Sequence, residues 1–120
     1  MTQQELLEYN KRCAEFLGYT LRENDCYNGD DKLVAKLSFL QTADLKFHSD
    51  WNWIMEVVEA IEKLTKKDGY GYEILITNSL CVIEETNKIF DSNQRFYAKT
   101  RKEAVVGAIN QFLIWYEQNK

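Results

Sequence analysis

SDWNWIMEVVEAIEKL, residues 49–64, decides how the rest of the chain is read. At about 3.6 residues per turn, Ile54, Val57, Val58, Ile61 and Leu64 gather on one side, as the i, i+3, i+4, i+7 rule of an amphipathic helix requires. Trp51 and Trp53 fall on the two borders of that stripe, while Asn52, Glu56, Glu59 and Lys63 share the opposite face. Ser49 or Asp50 can cap the free N–H groups of the first turn, and Asp50 also suits the positive end of the helix dipole. Lys63, Lys66 and Lys67 lie at the other end, where cations are favoured. A helix with one apolar side needs cover, and the flanking segments are read as supplying it.

On its N-terminal side, residues 2–17 form another helix. Thr2 and Glu5 make a capping box, Leu6, Tyr9, Cys13, Phe16 and Leu17 make the inner stripe, and Gly18 is a natural stop. Residues 19–27 suit a short edge strand, and Asn28-Gly29-Asp30-Asp31 is a strong turn signal. The run KLVAKLSFL, residues 32–40, suits strand or helix, with strand preferred, and residues 41–48 connect it to the central helix.

On the C-terminal side the chain turns at Asp68-Gly69. Residues 70–77 and 80–85, rich in Tyr, Ile, Leu and Val and joined by Asn78-Ser79, predict a hairpin. Thr86-Asn87 is the next turn and residues 88–91 the third strand. Residues 92–99 read as loop, with residues 95–97 as a possible extended piece. Thr100 and Glu103 open a last helix, whose inner face carries Val105, Ala108, Ile109, Phe112, Leu113 and Tyr116. Ile114 projects from its other side and Trp115 lies near the border. The expected fold is a single α+β domain over residues 1–120: an antiparallel sheet of three to five strands packed against three helices.

Of the 120 residues, 45% are hydrophobic and 13% aromatic, which excludes a disordered chain. No stretch approaches the roughly 20 apolar residues of a membrane span. The start, MTQQELLEYNKRC, lacks the basic and apolar regions of a secretory signal, so the cytoplasm is the expected location, that of the host if the chain is phage-encoded. Cys13, Cys26 and Cys81 are odd in number and form no CxxC pair, as suits reduced thiols. A net charge of -4 argues against non-specific nucleic-acid binding, which rests on lysine and arginine.

Three stretches carry a resemblance: NKRCAEFLGY (residues 10–19), LKFHSDWNWIMEVVEAIE (45–62) and KEAVVGAINQFLIWY (102–116). In order and spacing they resemble small uncharacterised proteins of bacteriophages and prophages of Bacteroides-like hosts, and are similar to the phage α-β-α sandwich domain. Residues 24–41 depart from the short tryptophan-containing strand of that group. The resemblance implies a fold and a viral origin; it transfers no reaction to any residue.

Candidate chemistry is sparse. His48, the only histidine, sits where the central helix begins, suited to a general base, to an anion contact, or simply to a local hydrogen bond. Cys26 is surrounded by Glu23, Asp25, Asp30 and Asp31, which raise a thiol pKa and work against a nucleophile, and Cys13 and Cys81 fall on core patterns. Asp30 and Asp31, or Glu84 and Glu85, lack the spacing of a cation loop and read as solvated turn acids. No phosphate-loop, dinucleotide or serine-hydrolase motif appears, and neither a cofactor nor a metal is expected.

One cluster stands out, where the last helix begins: Arg95, Lys99, Arg101 and Lys102 with Thr100 at the cap. Cations beside free N–H groups can hold a phosphate or carboxylate, and Phe96 and Tyr97 offer rings for a base. The alternative is a solvated basic loop. Trp53 and Ile114, at stripe borders, suggest a second buried surface and a homodimer. The functional expectation is a non-enzymatic phage accessory protein that counters host defence. It would sequester a nucleotide-derived immune signal at Arg95–Lys102 with His48. The alternative is a protein-interaction module using Trp53 and Ile114 to inhibit or bridge a host or phage protein. A nucleotide hydrolase using His48 with a carboxylate ranks third.

Overall fold

The computed structural model describes residues 1–22, 25–27, 33–36, 45–64, 71–85 and 94–119. Among these the order is α1 (Gln3–Phe16), β1 (Thr20–Arg22), β2 (Asp25–Tyr27), β3 (Leu33–Lys36), α2 (Trp51–Glu62), β4 (Tyr72–Ile76), β5 (Leu80–Glu85), β6 (Gln94–Tyr97) and α3 (Arg101–Asn119). The α+β class is as expected. Its strands form two antiparallel three-stranded sheets, in the orders β1-β2-β3 and β4-β5-β6. The chain divides into two compact units, residues 1–54 and 55–120.

In the first unit, α1 begins with the expected capping box. Thr2 Oγ1 accepts from the Glu5 N–H at 3.1 Å, and the Thr2 N–H donates to Glu5 Oε1 at 3.3 Å. It ends in a Schellman motif: the Gly18 N–H donates to the Glu15 carbonyl and the Tyr19 N–H to the Ala14 carbonyl. That geometry needs a left-handed residue, which Gly18 supplies with φ of +82°. Tyr9, Cys13 and Ala14 are buried with Asn10, a polar residue missing from the expected inner stripe. Residues 19–27, read as one strand, contain two, with Thr20 opposite Tyr27 and Leu21 opposite Cys26. β3 confirms strand within residues 32–40 and pairs with β2. The turn at residues 28–31 lies outside the described residues.

α2 has the sidedness its sequence dictates. Ile54, Val57, Val58 and Ile61 are buried, Trp51 and Trp53 half-buried, and Asn52, Glu56, Glu59 and Lys63 exposed. Asp50 is the cap: its Oδ1 accepts from the Asn52 N–H at 2.9 Å and its carbonyl from the Ile54 N–H. Asp50→Ala removes that bond from an exposed helix start. It is expected to lower stability by about 1 kcal/mol, read from the midpoint of chemical denaturation.

In the second unit, β4 and β5 form the expected hairpin. Ile76 lies opposite Cys81, and the Thr77 N–H donates to the Leu80 carbonyl around Asn78-Ser79. The strand paired with the far side of β5 is β6, inside the stretch read mainly as loop. The turns at 68–69 and 86–87 and the strand expected at 88–91 lie outside the described residues. Side chains alternate across a sheet. Tyr72, Ile74, Ile76, Cys81, Ile83, Glu85 and Phe96 therefore share the face on which α3 packs. The Tyr72 ring meets Phe112 edge-on at 5.0 Å and Trp115 at 6.5 Å. α3 is buried continuously from Ala104 to Ile109, so this stretch has no solvent side, unlike the single stripe read from the sequence, while Arg101 and Glu103 before it are exposed. Its second half returns to one face, with Phe112 and Leu113 buried and Ile114 exposed.

Candidate functional site

His48 belongs to the first unit and is fixed by α1. The Phe47 N–H donates to Asn10 Oδ1 at 3.0 Å, and Asn10 faces His48 Nδ1 at 3.0 Å. A backbone N–H can only donate, so the amide oxygen of Asn10 must face Phe47 and its NH₂ must face the histidine. Nδ1 of His48 therefore accepts, and the proton of the neutral ring sits on Nε2. Tyr9 completes the clamp, its hydroxyl donating to the Phe47 carbonyl at 2.9 Å. Both backbone groups of Phe47 are thus satisfied by neighbouring side chains of one helix. Its ring is held in turn by Trp53, edge-on at 4.9 Å, and by Tyr19 at 6.2 Å. Partial burial pushes the His48 pKa below its ordinary value of 6.5. The nitrogen that a catalytic carboxylate would orient is occupied by an uncharged amide, and the ring offers Nε2–H, a single donor.

The basic segment belongs to the second unit, and its residues divide by role. Phe96, offered by its sequence as a stacking surface, is turned to the helix-covered side. A Cβ at Gly107 would overlap its ring, so glycine is what allows the close approach. Thr100 Oγ1 accepts from the Glu103 N–H at 3.2 Å, closing the cap. Arg101 reaches back to the β4–β5 turn, donating from Nε to the Thr77 carbonyl at 3.4 Å and from its guanidinium to Asn78 Oδ1 at 2.6 Å. Lys102 is half-buried and Lys99 exposed.

Arg95 and Tyr97 are placed differently. Two residues apart on β6, they share the sheet face turned away from α3, and both are exposed, Tyr97 to 67%. Register sets Arg95 opposite Val82 and Tyr97 opposite Leu80. Leu75, 54% exposed, lies on the other side of Val82. This face thus exposes an aromatic ring, a guanidinium and the Leu75 side chain, while Val82 between them is buried. The alternation of Arg95, Phe96 and Tyr97 between faces was the available signal, but three residues are too few to separate strand from loop.

The remaining candidates have other places. Glu84 and Glu85 are strand residues, not turn acids. They point to opposite faces of the sheet and cannot converge on one ion, and Glu85 is buried. Cys13 and Cys81 are buried thiols, pushed up by burial to about 12 and about 11, and so unsuited to nucleophilic work. Cys26 is in β2, opposite Leu21 and Ala35. Asp30 and Asp31 lie outside the described residues. Among the described residues no group of three or more His, Cys, Asp or Glu is placed to hold a metal. No helix among them is long and apolar enough to cross a membrane. No family model, no curated protein and no solved structure matches this chain.

Proposed function

We propose that the chain is a non-enzymatic binding protein for a small phosphate-bearing ligand of nucleotide type, held at the exposed Arg95–Tyr97 edge of the β4–β6 sheet, on the face turned away from α3. The observation that carries this reading is the pairing of exposed Arg95 and Tyr97 on one face, about 7 Å apart along β6. Tyr97 gives a base a ring to stack on, and Arg95 gives a phosphate a forked, permanently charged donor. Lys99, exposed just beyond the strand, adds charge. In the phage setting that the three sequence motifs imply, such a binder works by sequestration, hiding a nucleotide-derived immune signal from its host receptor.

Calorimetry with cyclic dinucleotides and ADP-ribose derivatives tests it. The expected result is saturable binding that Tyr97→Ala weakens about tenfold or more, since stacking on one aromatic ring is worth about 1–3 kcal/mol. Tyr97→Phe retains it, and Arg95→Ala weakens it. No heat and no rise in melting temperature with any of these ligands, well above the expected dissociation constant, would overturn the reading.

A second reading, a protein-interaction module, is favoured by the exposed apolar side chains of Leu75 and Ile114. Trp53, the other residue assigned to it, gives part of its ring to Phe47. This reading predicts that a purified partner is lost on Ile114→Lys while nucleotide binding is unchanged.

A further inference from the structure

Three groups stand in line between α1 and the entry to α2: the Phe47 N–H, the Asn10 amide and the His48 ring, each 3.0 Å from the next. Only one protonation state satisfies all of them. The Phe47 N–H fixes the amide oxygen, the amide NH₂ then needs an acceptor, and Nδ1 is an acceptor only while it carries no proton. A protonated ring has donors on both nitrogens. It meets the NH₂ donor to donor, and turning the amide over moves the same conflict to the Phe47 N–H. Neither arrangement keeps both hydrogen bonds, and a buried donor left without an acceptor is unfavourable.

We infer that this line is an acid-operated latch: protonation of His48 breaks the Asn10 bridge and releases residues 45–49 from α1 locally, without unfolding the chain. These residues belong to no helix or strand, and α1 side chains hold both backbone groups of Phe47, Tyr9 donating to its carbonyl at 2.9 Å. What the latch keeps inside is Leu45 and Phe47, both buried. Asn10 is fully buried, but His48 is only half-buried, so a proton can reach the ring.

The surroundings offer the protonated ring little compensation. Among the described residues Asn10 is its hydrogen-bond partner. One turn either side of Asn10 on α1 lie Leu6, Leu7, Cys13 and Ala14. Of these only Cys13 titrates, and burial keeps its thiol neutral, as it does the Tyr9 hydroxyl. In the segment itself Lys46 is exposed, and Asp50 turns its Oδ1 to the Asn52 N–H. The first turn of α2, Trp51 to Ile54, brings no charge, and β1, which meets α1, carries only Arg22. Partial burial also works against the charged ring.

Hydrogen exchange of single amides, followed by nuclear magnetic resonance on the full chain, tests this. The protection factor of the Phe47 amide, corrected for the intrinsic pH dependence of exchange, is expected to fall about tenfold from about pH 7.5 to about pH 5. The fall follows the titration of the His48 imidazole, while amides inside α1, such as those of Cys13 and Ala14, and those of α3 keep their protection. His48→Asn sets a carbonyl oxygen that does not titrate near the place of Nδ1, and its Phe47 protection is expected to stay level over the same range. Phe47 protection that does not change in the wild type, a fall shared equally by α1, or a fall undiminished in folded His48→Asn would each overturn the inference. If His48→Asn does not fold, the wild-type comparison of Phe47 with α1 decides. The latch lies in the first unit and does not rest on nucleotide binding, so either reading can fail alone.

Discussion

Asn10→Ala is expected to lower the stability of the fold by about 2–3 kcal/mol, a large effect for one small polar side chain. Asn10 is fully buried, and its amide serves two partners at once, the Phe47 N–H and His48 Nδ1. Truncation leaves the Phe47 N–H buried without an acceptor, which alone costs about 1–3 kcal/mol, and releases the histidine as well. Asn10→Asp separates the two contributions by its pH dependence. In the wild type the His48 pKa is depressed by burial, so the unfolded chain takes up the proton more readily than the fold. Stability is therefore full above the ordinary value of 6.5 and falls as pH drops through it. An aspartate at position 10 still accepts from Phe47 but presents an oxygen to Nδ1, which favours the protonated ring and raises its pKa. The stability that this pair contributes is present at low pH and lost as pH rises through the raised value. Denaturation midpoints at about pH 5.5 and about pH 8 should then move in opposite directions for the wild type and Asn10→Asp. His48 is the only histidine, so one imidazole resonance in a nuclear magnetic resonance titration reports the shift directly.

Helix boundaries were legible because their signals are local. Thr2 with Glu5, Asp50 before the α2 stripe and Thr100 with Glu103 each place a side-chain oxygen where the first-turn N–H groups need it, whatever the rest of the chain does. The stripe of α2 was legible for a similar reason, since one side of it meets water. The first half of α3 was not. Ala104, Val106 and Gly107 look like an outer face, and their burial follows from what packs around them. Asn10 escaped notice because a polar residue reads as a surface residue until its partners are known, and Phe47 and His48 lie almost forty positions away (37 and 38). The basic cluster was legible as composition but not as geometry. Adjacent residues of an extended strand point opposite ways, so Phe96 joins the helix-covered face while Arg95 and Tyr97, both exposed, lie on the opposite one.

Gly107→Val should destabilise the second unit by about 2–3 kcal/mol, against the direction of helix propensity. In an exposed helix interior, replacing glycine with alanine gains about 1 kcal/mol, and valine also outranks glycine. Here propensity loses, because even a Cβ at position 107 would occupy the space of the Phe96 ring. Forcing extra carbon into a packed interface costs about 1–3 kcal/mol, and a β-branched side chain at the helix–sheet contact offers no rotamer that avoids the ring. Gly107→Ala is the milder test, with the one-carbon clash and the propensity gain partly offsetting, and a net loss expected because Phe96 is held in a strand paired with β5. If the clash is with that ring, Phe96→Ala relieves it. The double variant Gly107→Val with Phe96→Ala should then be more stable than the two single losses sum to, by about 1 kcal/mol or more. Urea denaturation of the four proteins supplies the cycle; strict additivity would mean that position 107 is crowded by something other than Phe96. The outcome reaches the proposed binding face as well. Phe96 packed on Gly107 holds β6 against α3, and that attachment presents Arg95 and Tyr97 together on the other side. Gly107→Val is therefore expected to weaken nucleotide binding even where the protein remains folded, although it touches neither residue.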